Sequence, residues 1–298
     1  NTAANNRLTI NGLPSGGVTA AYGGKATNGA GGATGNRVTV SATGEEKIGS
    51  VYGGYPSGTG AVTDNTVTFS GGATLHDLMG GHIDNAASHA NATGNTVTIT
   101  GGSIGGSVYG GYTSGTGKTT GNTVRFTGGT VTGTIYGGSD AKDVKENTLV
   151  VSGERTARQI ANFEKLHFDT SATQAGDTIL TLNGGARTVG LDWHGLDVKN
   201  LTEERLQTLT SPVREEIFSL MANDQGLDFG TTYDKAKEKT IGDYEYTIAK
   251  ENAPAGSTAE KVVVRGFRFQ NNEDAVYDTG NNHDAWGGRS IIGNTVQR

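Results

Sequence analysis

Two short markers recur through the first half of the chain and keep step with each other, and no other feature restricts the fold as much. The first, N-x-V/L-x-V/I/F, begins at Asn6, Asn36, Asn65, Asn95, Asn122 and Asn147, with spacings of 30, 29, 30, 27 and 25 residues. The second ends in a glycine pair: Tyr22-Gly23-Gly24, Tyr52-Gly53-Gly54, Met79-Gly80-Gly81, Tyr109-Gly110-Gly111 and Tyr136-Gly137-Gly138. In Asn65-Thr66-Val67-Thr68-Phe69 the apolar residues alternate with threonines, the period of a half-buried strand. Val67 and Phe69 face in; Thr66 and Thr68 face out. Glycine pairs such as Gly71-Gly72 and Gly101-Gly102 then break the strand. A strand-only unit of this size is too small to bury its own apolar face, so units must stack. A propeller blade would need roughly 40 or more residues per repeat. The prediction is an all-β solenoid, a right-handed parallel β-helix, with about five regular coils over residues 1–150.

Stacking places like on like. The six asparagines would form a ladder at a corner and satisfy turn backbone there. Alternation sends Val51 inward and Tyr52 outward. Tyr52, Tyr109 and Tyr136 would then line an external face, with Met79 interrupting. Tyr55 and Tyr112 follow three residues later, with His82 in the matching place. These five tyrosines are the candidate ligand-binding residues, as an aromatic strip that stacks on sugar rings or on a partner. The plainer reading is that stacked tyrosines cover the sheet and support one another, each pair giving roughly 0.5–1.5 kcal/mol.

Composition changes near residue 150. Of the 49 glycines, 34 lie in residues 1–150, and most of the charge lies after it. Ile160, Phe163, Leu166 and Phe168 continue the apolar rhythm as a less regular coil, and Ile179 to Leu182 reads as a further strand. The β-helix is therefore assigned to 1–189, with 151–189 less regular. Residues 190–284 read as an inserted small α+β subdomain. In it, Thr202-Glu203-Glu204 starts a helix. Ser211-Pro212 starts another, with Val213, Ile217, Phe218, Leu220 and Met221 as its buried face. Tyr244 to Ile248 and Val262 to Phe269 read as a hairpin. Trp286-Gly287-Gly288 and Gly293-Asn294-Thr295-Val296 repeat the two markers, so 285–298 is expected to resume the β-helix in a longer natural chain.

The net charge of −6 argues against a nucleic-acid groove. No apolar run of about 18 residues exists, so no membrane contact is expected within this segment. Zero cysteines removes disulfides and thiol chemistry together. No cofactor or metal is expected. His194 between Asp192 and Asp197, and His283 beside Asp284, lack a second histidine at ligand spacing. Glycosidase chemistry needs two facing carboxylates about 5–9.5 Å apart. Asp64, Asp77, Asp84, Asp140 and Asp143 do not recur in register, so no catalytic residues are assigned.

The iterated Val108-Tyr109-Gly110-Gly111 and Gly121-Asn122-Thr123-Val124 units resemble the passenger region of bacterial autotransporter (type V secreted) adhesin-like proteins. Ala161-Asn162-Phe163-Glu164-Lys165-Leu166-His167-Phe168 looks like the N-F-E-x-L-x-F coil of such passengers. The resemblance covers roughly 1–185 and 286–298. It implies display on the outer surface of a bacterium by a membrane barrel outside this segment. The expected function is attachment to a host surface glycan or protein, or self-association between cells, by a monomeric segment of a longer chain. The alternatives are a carbohydrate-active β-helix lyase or glycosidase, and a passive stalk that presents another domain.

Overall fold

A computed structural model describes residues 1–27, 29–140, 143, 145–210, 215–252 and 257–268. The backbone winds into a parallel β-solenoid of about 7 turns that is 4% helical. One column of parallel strands is led by the asparagine marker. It runs from Arg7–Ile10 through Arg37–Ser41, Thr66–Gly71, Thr96–Ile104, Thr123–Val131, Thr148–Ser152 and Lys165–Asp169 to Leu196–Lys199. A second column carries the glycine pairs. It includes Val18–Ala26, Lys47–Pro56, Leu78–Ile83, Val108–Thr113, Thr134–Tyr136, Gln159–Phe163 and Val189–Leu191. A short column of two-residue strands, Ala3–Ala4 to Ala92–Thr93, closes the early coils.

The inner faces meet as predicted. Val38, Val67, Val97, Val124, Leu149 and Leu166 lie in register and are buried. Facing them, Val51, Leu78, Val108, Ile135 and Ile160 form a matching buried row. Parallel strands closed on the inside place equivalent side chains over one another, because each coil adds one strand spacing of about 4.8 Å.

From Asn36 to Asn147 the asparagine ladder is buried and saturated with hydrogen bonds, while Asn6 at its open end is exposed. Asn95 Oδ1 accepts from the backbone N–H of Asn65 at 3.1 Å and from its Nδ2 at 2.9 Å. Asn95 Nδ2 donates in turn to Asn122 Oδ1 at 3.1 Å and to the Val62 carbonyl at 3.2 Å. The same set of bonds recurs at Asn36, Asn65 and Asn122. At Asn147 the ladder stops, and Nδ2 ends on the carbonyls of Thr119, Asp143 and Asn162. Each ladder residue follows one with positive φ: Asn5, Gly35, Asp64, Gly94, Gly121 or Glu146. The Gly-Asn-Thr-Val motif is thus a left-handed corner that glycine enters without steric cost, followed by the ladder residue.

The two markers keep step because they pack on each other. A Cβ on Gly80 would stand 2.9 Å from Asn95 Cβ and 3.3 Å from Val97 Cγ2. A Cβ on Gly81 would stand 2.7 Å from Asn95 Nδ2. Gly110 and Gly111 meet Asn122 in the same way. The glycine pair leaves room for the ladder.

Parallel pairing continues beyond residue 150 without the markers. Val189–Leu191 pairs with Gln159–Phe163, and Leu196–Lys199 with Lys165–Asp169. These later strands raise the count above the five regular coils. A further column, Arg155–Ala157, Thr178–Leu182 and Glu215–Asn223, is also parallel. It then passes into an antiparallel sheet of Glu260–Arg268, Tyr244–Asn252 and Lys237–Ile241. The expected hairpin of Tyr244 and Val262 is the middle of that sheet. The expected helix at Thr202 is present as Glu203–Leu209, with the Thr202 side chain accepting from the Arg205 N–H.

The second expected helix is corrected. Residues 215–223 form a strand, and 211–214 lie outside the described residues. Ile217, Phe218, Leu220 and Met221 are all at or below 1% exposure. A short run buried on both faces has no period that separates helix from strand. The resumption expected at 285–298, and His283 with Asp284, also lie outside the described residues.

Replacing Asn95 with Ala leaves two donors of Asn65 without an acceptor and removes the donor to Asn122. The expected cost is about 3 kcal/mol, read as a lower urea midpoint; a change under about 0.5 kcal/mol contradicts the ladder's role. Gly80→Ala should also destabilise by more than about 1 kcal/mol, whereas Gly12→Ala, with no atom within 4 Å of the added carbon, should not.

Candidate functional site

The outer side of the glycine-pair column carries two rows of aromatic side chains. Strand alternation turns Val51, Leu78, Val108 and Ile135 inward and the next residue outward. That outward row is Tyr22, Tyr52, Met79, Tyr109 and Tyr136, in continuous register. In Val108–Thr113 the burial alternation is interrupted at Gly110 and Gly111, which are both buried. The interruption returns Tyr112 to the same side as Tyr109. The second row is therefore Lys25, Tyr55, His82 and Tyr112.

The rings pack as a ledge. Tyr22 and Tyr52 stack with centroids 5.0 Å apart and planes 8° from parallel. Tyr109 and Tyr136 stack at 4.7 Å and 7°. Met79 fills the first row between the two pairs. Tyr55 lies 5.2 Å from Tyr52 at 72°, and Tyr112 lies 5.4 Å from Tyr109 at 78°. His82 bridges the second row, 5.1 Å from Tyr55 and 4.8 Å from Tyr112. Lys25 begins that row with its ammonium 4.6 Å from the Tyr22 ring centre, a cation–π contact.

All five predicted tyrosines, Tyr52, Tyr55, Tyr109, Tyr112 and Tyr136, stand on this one surface, each half-buried. Sequence reasoning missed two members. Tyr22 carries the same Tyr-Gly-Gly marker, and Lys25 follows it by the same three residues that separate Tyr52 from Tyr55. In each stacked first-row pair one face of each ring is occupied by the partner ring, and Met79 separates the two pairs.

Burial pushes the Tyr109 phenol up to about 12 and raises those of Tyr52 and Tyr55. The hydroxyls stay protonated and can donate. Tyr55 OH donates to Asp84 Oδ2 at 3.4 Å. His82 Nδ1 lies 2.8 Å from the Met79 sulfur, and its Nε2 is buried with no partner. Burial lowers the His82 pKa, with Asp84 and Asp77 pulling it back in part.

Other clusters offer less chemistry. A hollow in the turn region is lined by Gly16, Thr19, Glu45, Glu46, Lys47 and His76. Among the described residues, no hydrogen bond or ion pair joins the Glu45, Glu46, Lys47 and His76 side chains. His194 donates its backbone N–H to Asp192 Oδ1 at 2.8 Å, a local turn. Among the described residues, no three His, Asp or Glu side chains gather in a way that would hold a metal ion. No described helix is long and apolar enough to cross a membrane.

Comparison with known proteins finds no family model, no curated protein and no solved structure that matches the chain. The assignment to a β-solenoid rests on the strand pairing.

Protonating His82 puts a charge in a buried position, so the unfolded chain binds that proton more tightly. Stability is then full above the ordinary histidine pKa of about 6.5 and falls as pH drops through the lowered folded value. Urea midpoints between pH 7.5 and 5 should fall less steeply in His82→Tyr than in the parent chain. Equal slopes would mean that His82 is not buried as a neutral ring.

Proposed function

We propose that this chain is a surface attachment segment, an adhesin-like passenger of the autotransporter type, which binds its target through the aromatic ledge. The observation that carries the reading is the ledge itself. Six tyrosines and one histidine form a continuous band across five coils. Tyrosines combine an apolar body with a hydroxyl tip, which suits sugars and protein surfaces alike. A solenoid supports such a role because it repeats a surface element at fixed spacing along an extended face. The family resemblance of the Val-Tyr-Gly-Gly and Gly-Asn-Thr-Val units supports export to the bacterial surface.

A second reading, a passive stalk, is favoured by one specific feature. The first-row rings stack in pairs, one face of each on its partner, as they would if the tyrosines only covered the sheet.

An array of host glycans, matrix proteins and whole cells separates the two. The attachment reading expects at least one retained ligand, bound about tenfold more weakly by the Tyr55→Ala/Tyr112→Ala double variant. Retention of nothing supports the stalk. Retention that is indifferent to both tyrosines removes the ledge as the binding surface.

A further inference from the structure

The outer side of the asparagine-led column carries a second, chemically different surface. Its first row reads Arg7, Arg37, Thr66, Thr96, Thr123, Thr148 and Lys165, one residue per coil in continuous register. The row beside it reads Thr9, Thr39, Thr68, Thr98, Arg125, Val150 and His167. Six strand spacings of about 4.8 Å give the first row a length of about 29 Å, and the two rows stand about 7 Å apart.

Arg7 and Arg37 are the anomaly. They are direct neighbours on adjacent strands, both exposed. Like charges placed so are destabilising. Among the described residues, neither forms an ion pair, and neither does Arg125 or Lys165. Asp64 and Glu146, in the adjoining corner, form no ion pair with them either. The acids of this face lie at its far end and are engaged: Asp197 with Lys199 at 2.6 Å and Lys239 at 2.9 Å, and Asp169 with Asn200. In a chain of net charge −6, this face therefore presents guanidinium and ammonium groups without counterions, spaced along a strip of threonine hydroxyls.

We propose that this face binds a linear polyanionic glycan laid along the solenoid axis. Guanidinium forks match sulfate and carboxylate groups in a bidentate manner. Threonine hydroxyls both donate and accept, as sugar hydroxyls do. The acidic remainder of the chain repels a polyanion and confines it to the strip. A nucleic acid fits less well, because among the described residues of the two rows His167 is the one ring beside the cations, and successive bases need a series of rings to stack on. The surface is separate from the aromatic ledge, and it stands or falls without it.

The probe is a heparin hexasaccharide, titrated calorimetrically into the full chain at low and at physiological ionic strength. Binding is expected at low ionic strength, weaker as salt rises, and about tenfold weaker in Arg7→Ser/Arg37→Ser. Tyr55→Ala/Tyr112→Ala should leave it unchanged, which separates this surface from the ledge. Both arginines are exposed, and matching circular dichroism spectra establish that the variant is folded. The proposal is overturned by any of three results: no binding at low ionic strength, equal binding of a neutral glucan hexasaccharide, or affinity unaltered in the arginine variant. Tighter binding of a single-stranded oligonucleotide, lost in the same variant, would also overturn it in favour of nucleic acid.

Discussion

A buried carboxamide must find partners for two donors and two acceptor lone pairs, and the buried ladder asparagines Asn36, Asn65, Asn95 and Asn122 do so within the stack. Each Oδ1 takes two donors from one neighbouring coil, and each Nδ2 donates both to the asparagine of the other neighbour and to a carbonyl of a two-residue strand. An unsatisfied buried polar group costs about 1–3 kcal/mol, so a coil that shifted by one residue would break several bonds at once. The ladder thus fixes register as well as stability. It also dictates what may face it. Only glycine leaves room beside Asn95 and Asn122, which is why the second marker is a glycine pair.

The outside is under no such rule. Once the ladder and the apolar rows hold the coils in register, outward positions repeat at the strand spacing whatever residue occupies them. One column carries tyrosines that stack ring on ring. The other carries threonines with arginine at one end and lysine at the other. The same scaffold therefore displays two surfaces of different chemistry on different sides.

Past Asn147 the coils hold together differently. Larger side chains replace the ladder: Phe163 and Phe168 are fully buried, and Trp193 donates its indole N–H to the Lys235 carbonyl at 2.9 Å. The parallel column ending in Glu215–Asn223 then pairs with an antiparallel hairpin. Local pattern did not reveal this. Ile217 to Met221 is a short apolar run after a Ser-Pro step, which suits either a helix start or a strand buried on both faces. The neighbours on each side decided it. Tyr22 and Lys25 were legible in the repeat, as were the places of Met79 and His82 between the tyrosines, whereas the ring contacts of His82 with Tyr55 and Tyr112 emerged only from the packing.

Sequence alone determined the parallel solenoid, the place of the ladder, and the side of the sheet on which each marker tyrosine stands. Those follow from periodicity, because a repeat stacked on itself must superimpose equivalent residues. Tertiary structure alone decided that the first-row rings stack in pairs, and that no acid among the described residues forms an ion pair with Arg7 or Arg37, which the repeat itself makes neighbours. It also decided that residues 215–223 extend the solenoid as a strand. Those depend on which side chains fill the space between coils and on what lies across the sheet, and no local pattern carries that information.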